Sequence, residues 1–143
     1  MERRFAAVVP HPPIILPEIG QGQEREIRAT TAAYREIARR VRQLNPDTIV
    51  ILSSHATSYA DYFHISPGGK ARGDLKRFGA NQVQVNCIYD EEFVSALEQN
   101  AKRAGLSAGT KGEREKTLDH GALIPLTFLA EKELNAEIVR IGL

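Results

Sequence analysis

Two spacings of hydrophobic positions alternate along this chain, and they predict its elements. Residues 5–10 form a short apolar run that reads as a buried strand, followed by a proline-rich loop through Gly22. From 23 to 45 the apolar positions Ile27, Thr31, Tyr34, Ile37, Ala38, Val41 and Leu44 recur at helical spacing, with charges on the opposite face. Asn45-Pro46 stops that helix, because the residue before a proline is pushed out of the helical region. Residues 48–53, Thr-Ile-Val-Ile-Leu-Ser, are apolar and β-branched, as a central parallel strand should be. Together these three segments predict a βαβ unit. Short strands follow near 62–66 and 84–89. A helix is expected over 91–104, with Asp90 as its N-cap and Gly105 as its stop. Another is expected over 121–134, where Pro125 is tolerable only in the first turn. Residues 137–143 read as a final strand, and no internal repeat or low-complexity segment interrupts the pattern. The fold class this predicts is α/β, a three-layer α/β/α arrangement with a mostly parallel central sheet.

Composition narrows the function classes. At 143 residues the chain is one α/β domain or part of one. A hydrophobic fraction of 42% and a charged fraction of 26% are ordinary for a globular protein. The net charge of +1 gives no general electrostatic case for nucleic acid or an anionic membrane. The single cysteine, Cys87, excludes an intrachain disulfide framework and fits a reducing cytoplasm. No apolar run reaches the length of a membrane span. Met1-Glu2-Arg3-Arg4 is charged, but Pro10, Pro12 and Pro13 break up the apolar run behind it, so the N-terminus makes a poor signal peptide. A soluble, cytoplasmic protein is expected.

The segment Pro67-Gly68-Gly69-Lys70-Ala71-Arg72-Gly73-Asp74 is glycine-rich and basic. It reads first as a solvated, mobile loop, and second as a flap offering Lys70 or Arg72 to an anionic ligand. It is not a phosphate-binding P-loop, because Lys70 lacks the following Ser or Thr and the glycine spacing. Gly20-Gln21-Gly22 precedes a helix, but Arg25 stands where a dinucleotide fingerprint needs its third glycine.

Candidate chemistry lies in the histidines. His11 follows the first apolar run, inside Pro10-His11-Pro12-Pro13, and His55 follows the second, in Leu52-Ser53-Ser54-His55. Parallel strands joined by a right-handed crossover end at one edge of the sheet, where open α/β sheets bind their ligands. Both imidazoles are therefore expected at one crevice, although 44 residues separate them. His120, in Leu118-Asp119-His120-Gly121, joins them if the strand near 137–142 is parallel, because the helix it opens then starts at that same edge. A helix N-terminus favours neutral imidazole there. His64 shares a predicted strand with Tyr62 and Ser66 and reads as structural or exposed. Two histidines and a carboxylate form a common catalytic metal set with open positions. Glu18, Asp61 and Asp119 are candidates for the carboxylate, and spacing fixes none of them. A Ser-His hydrolase at Ser54-His55 is disfavoured, since adjacent strand-end residues face opposite ways and no nucleophile elbow is present.

At these residues the chain resembles the class III extradiol ring-cleavage dioxygenases of the subunit-B-like (LigB-like) family, in particular members of the AmmeMemoRadiSam grouping. The resemblance covers nearly the whole chain. It is carried by residues 9–18, which include Pro10-His11-Pro12-Pro13, by Ser53-Ser54-His55, by residues 62–68, and by residues 118–126, which include Asp119-His120-Gly121. It implies Fe(II), with Zn(II) as the alternative, held by His11 and His55 plus a carboxylate. It also implies His120 as a catalytic histidine lining the pocket, and an aromatic diol and O2 as substrates. Members of the family are about twice this length, so the chain resembles the N-terminal half of a larger catalytic domain. Its apolar end, Val139-Arg140-Ile141-Gly142-Leu143, reads as an unfinished sheet edge that invites a homo-oligomer or a partner chain completing the site. The alternative functions are a non-catalytic metal-binding or accessory subunit and a metal-assisted hydrolase.

Overall fold

The computed structural model describes residues 4–143; Met1, Glu2 and Arg3, most of the charged N-terminus, lie outside the described residues. Among the described residues, six strands and four α-helices follow in chain order: α1 (Pro17–Gly20), α2 (Arg28–Leu44), β1 (Thr48–Ser53), β2 (Phe63–His64), β3 (Lys70–Leu75), β4 (Ala80–Ile88), α3 (Glu91–Arg103), β5 (Ala108–Gly109), α4 (His120–Leu129) and β6 (Glu137–Gly142).

The organising pair is β1 and β6, parallel and in register from Thr48↔Glu137 to Ser53↔Gly142. On its other side β6 is bridged to Ile65 and to Tyr89, so it runs through the middle of the molecule. Alternate residues of β6 enter two cores. Ile138 joins the large core with Tyr34, Ala38 and Val41 of α2 and with Leu123, Leu126 and Phe128 of α4. Val139 packs on the opposite side against Ile65 and Val94, with Leu97 and Ile141 alongside. Helices thus cover both faces of β6, an arrangement compatible with a three-layer α/β/α fold. β2 pairs in parallel with β5, and β3 with β4 antiparallel.

Local chemistry explains the helix limits. Asn45 adopts a left-handed conformation, and its N–H closes the last turn of α2 on Val41 and Arg42. Asp90 caps α3 by accepting the Phe93 N–H at 2.8 Å, and Gly105 follows its end at positive φ. α4 is buried on nearly every side, so packing holds it although Pro125 falls in its second turn and not in its first. It ends at Leu129, five residues short of the predicted limit, where the polar run Glu131-Lys132-Glu133 begins.

Four expectations are corrected. Residues 5–10 form no strand; they are irregular and largely exposed, Phe5 and Val8 included, so no βαβ unit forms from them. Among the described residues β1 pairs on one edge only, and Val50 and Leu52 remain 42% and 56% exposed, so it is not a central strand. The glycine-rich basic segment is neither a mobile loop nor a flap. Its residues from Lys70 form β3, whose alternate side chains Ala71 and Leu75 are buried, while Gly73 lets the backbone approach Leu118 and Leu123. Finally, Glu137–Gly142 is no open edge, because β6 is paired on one side and bridged on the other.

Candidate metal centre

Each of the three histidines is placed by a different device. The loop carrying His11 turns through a 3₁₀ segment at Pro13–Ile15 and is pinned by the buried side chains of Ile15 and Leu16. Just before it, the Pro10 carbonyl accepts a hydrogen bond from the Tyr34 hydroxyl of α2. The Tyr34 ring stacks on Phe128 of α4, with centroids 4.3 Å apart and planes 13° from parallel. Burial pushes the Tyr34 hydroxyl well above its usual pKa, keeping it a neutral donor.

His55 stands two residues beyond β1. Its backbone N–H donates to Ser53 Oγ at 3.2 Å, and Ser53 Oγ donates to Asp119 Oδ2 at 2.5 Å. The segment after His55 crosses the end of β6 so closely that a Cβ on Gly142 would overlap the Thr57 carbonyl. His120 is the first residue of α4, and Asp119 is its N-cap, accepting the Ala122 N–H at 3.2 Å. Gly121 is required there too, since a side chain would run into Ser53 Oγ and Asp119.

These devices bring the three imidazoles together. His11 Nε2 and His55 Nε2 are 3.0 Å apart. The His120 ring centroid lies 4.0 Å from that of His55 and 5.5 Å from that of His11. One ring nitrogen from each of the three falls within 4.8 Å of the others. The predicted convergence is therefore present, and it holds even without the first strand, because the proline loop delivers His11 by its own anchoring. β6 is parallel to β1, as the placement of His120 required.

The donors fit a divalent transition metal. Two ligands about 2.1 Å from an ion and about 90° apart sit about 3 Å from each other, which matches the His11–His55 separation. Imidazole suits iron, zinc, copper and nickel alike. Among the described residues no carboxylate joins the group. Glu18 and Asp61 are exposed elsewhere, and both Asp119 oxygens are engaged by Ser53, Ala122 and Arg140. Burial holds the His120 pKa below the ordinary imidazole value, and the neighbouring His55 and His11 act in the same direction. The Phe78 ring stands edge-on to His120 at 5.2 Å and is 40% exposed, forming an aromatic wall beside the histidines.

His64 does not belong to the group: it is fully buried, with no partner on either ring nitrogen. Sequence reasoning missed Ser53, Tyr34, Phe78 and Arg140. Only Arg140 left a signal, as the one charge inside the otherwise apolar run Ile138 to Leu143.

An α/β domain that gathers three imidazoles at the carboxyl edge of its parallel strands is a candidate metal-binding domain. Residues 5–142 match the family described as the catalytic LigB subunit of aromatic ring-opening dioxygenase, and the chain belongs to that family. It is also similar to a curated protein of Clostridium acetobutylicum, 31% identical over 141 residues, covering 94% of this chain and 30% of that protein. The chain thus spans under a third of the length of that relative. No helix among the described residues is long and apolar enough to cross a membrane.

Proposed function

We propose that this chain carries part of the active site of a metal-dependent extradiol dioxygenase acting on a catechol-type diol with O2. The observation that carries the reading is the 3.0 Å His11–His55 nitrogen pair in a member of the LigB family. His11 and His55 hold the metal, Fe(II) in this reading. When bound, it would supply Lewis-acid activation of the diol and O2, whose two oxygen atoms add to the two carbons of a ring C–C bond next to the diol as that bond breaks. His120, beside His55 and carried on a helix start, acts as the catalytic histidine by taking the proton of a diol hydroxyl at a ring nitrogen. Phe78 gives the aromatic ring of the substrate an edge to pack on and limits water next to His120.

The same reading takes the missing carboxylate from outside residues 4–143, in the same polypeptide or a partner, with residues 1–143 as the N-terminal portion of a larger catalytic domain. What supports this is that the described carboxylates stand away from the histidines or are already engaged. Placement among the AmmeMemoRadiSam-type members rests on the sequence motifs alone, and a cytoplasmic location on cysteine usage.

One observation favours a second reading. His120 is near enough to the other two to serve as a third ligand, and three histidines with a water are a catalytic zinc set, which would perform metal-assisted hydrolysis. The test loads the protein anaerobically with Fe(II) or Zn(II), measures bound metal by elemental analysis, and follows oxygen uptake with catechols. The dioxygenase reading expects H11A and H55A each to lose the metal, and H120A to keep it while losing uptake. Loss of metal in H120A as complete as in H11A would favour the hydrolase. Metal retained in H11A and H55A would overturn both readings. Metal binding without uptake of any catechol, in this chain and in its longer assembly, would leave a non-catalytic accessory subunit.

A further inference from the structure

We infer that Arg140 is a positioning residue for the histidine cluster, fixing His55 and His120 through Asp119 and Ser53. The functional consequence rests on the metal-centre reading above; the positioning itself rests on geometry alone.

Arg140 lies in the middle of β6, on the side that carries Ile138 into the large core, and is 1% exposed. A guanidinium removed from water to that degree is strongly unfavourable unless its donors are matched. Here they are. Nε donates to Ser66 Oγ at 2.7 Å, Nη1 to the Thr117 carbonyl at 2.8 Å and to Asp119 Oδ1 at 3.4 Å, and Nη2 to the Glu115 carbonyl at 2.8 Å. The Glu113 carboxylate stands 3.8 Å from Nη2.

Four of these five partners fall in one stretch, residues 113–119, which has no regular structure of its own and leads directly into His120. Arg140 therefore supplies to this stretch the hydrogen bonds that a helix or sheet would otherwise provide. Two routes continue from it to the segment after β1. Asp119 accepts the Ser53 hydroxyl, and Ser53 accepts the His55 N–H. Glu113 accepts the Thr57 hydroxyl at 3.0 Å, and Thr57 Oγ1 accepts the N–H groups of Arg114 and Glu115. One buried cation thus ties the residue before His120 to the residues on both sides of His55. A leucine here would satisfy the strand. Only a planar, multi-donor head group can hold two carbonyls and two carboxylates together.

The experiment compares the unaltered chain with Arg140→Lys, Arg140→Met and Ser53→Ala, using Co(II) alone as the probe. Affinity is read by spectroscopic titration, folding by thermal unfolding, and the His55 and His120 rings by nuclear magnetic resonance without metal. Supporting groups around metal ligands change affinity by about 10–100-fold. Arg140→Met is expected to weaken Co(II) binding by about that factor, and Arg140→Lys, which keeps the charge but not the fork, by less. Ser53→Ala leaves every bond of Arg140 in place and cuts the route to His55, so it should weaken binding while unfolding near the unaltered temperature. Co(II) affinity within twofold of the unaltered chain in folded Arg140→Met overturns the inference. If Arg140→Met does not fold, the same result in Ser53→Ala overturns it. If the unaltered chain takes up no Co(II), the metal reading fails, and the ring resonances of Arg140→Lys decide positioning. Unmoved His55 and His120 signals overturn it; displaced signals with an unchanged α2 spectrum sustain it.

Discussion

His64 has no exposed surface, and burial is the largest influence on its protonation state; Arg140 acts in the same direction, while Glu113 and the Thr110 backbone oppose it. Burial penalises the imidazolium, and the folded-state pKa lies below the ordinary value of 6.5. The unfolded chain therefore takes up a proton at a pH where the folded chain does not. The contribution of His64 to stability is complete above about pH 6.5 and declines as pH falls towards the folded-state pKa. Urea unfolding measured from pH 7.5 to 5.5 should show a shallower loss of stability in His64→Phe than in the unaltered chain. Some slope remains in the variant, because His120 is shifted in the same direction. Identical slopes would mean that His64 is charged or solvated in the folded state. At this scale the sequence was legible where chain direction alone places a residue. His55 ends a strand and His120 starts a helix, so connectivity brings them to one edge. The roles of Ser53 and Arg140 were not legible, since their partners come from segments 66 and 74 residues away.

Among the elements, α2, β1, α3 and β6 follow from periodicity and capping residues, because each carries a long apolar stripe or a strong stop. The two misread segments fail for one reason: strand formation depends on a neighbour. Residues 5–10 have the apolar content of a strand and no partner among the described residues, whereas Lys70–Leu75 has glycine and charge and is held by nine-residue β4. The close crossing of β6 by the His55 loop is the element-level contact on which the site depends most directly. Gly142→Ala would place a methyl group on the Thr57 carbonyl, and neither backbone can yield without moving the segment behind His55. Overpacking of this kind costs about 1–3 kcal/mol. We expect Gly142→Ala to lower the unfolding temperature and to weaken Co(II) binding together. An unchanged unfolding temperature with unchanged metal affinity would show that the two segments slide apart without consequence.

For the whole molecule, the sequence anticipated layers and strand direction correctly but placed the open edge on the wrong strand. Register explains why. Val50 lies opposite Val139 and Leu52 opposite Ile141, so all four side chains share one side of the parallel pair. Val94 and Leu97 of α3 cover Val139 and Ile141 but leave Val50 and Leu52 at 42% and 56% exposure. Both strands read as apolar in the sequence, and nothing in that pattern says which of them α3 will reach. An exposed apolar face on a strand whose second edge is unpaired among the described residues is a surface for further association. A second copy of the chain brings the same face and the same edge, which suits a symmetric, self-complementary contact. The isolated chain should therefore self-associate with rising concentration in sedimentation velocity. Replacing both Val50 and Leu52 with Lys puts four like charges into that contact and should return the chain to monomer. Both residues are on the side away from the large core, so the unfolding temperature should change little. An unaltered mass distribution in the double variant would exclude this face as the contact.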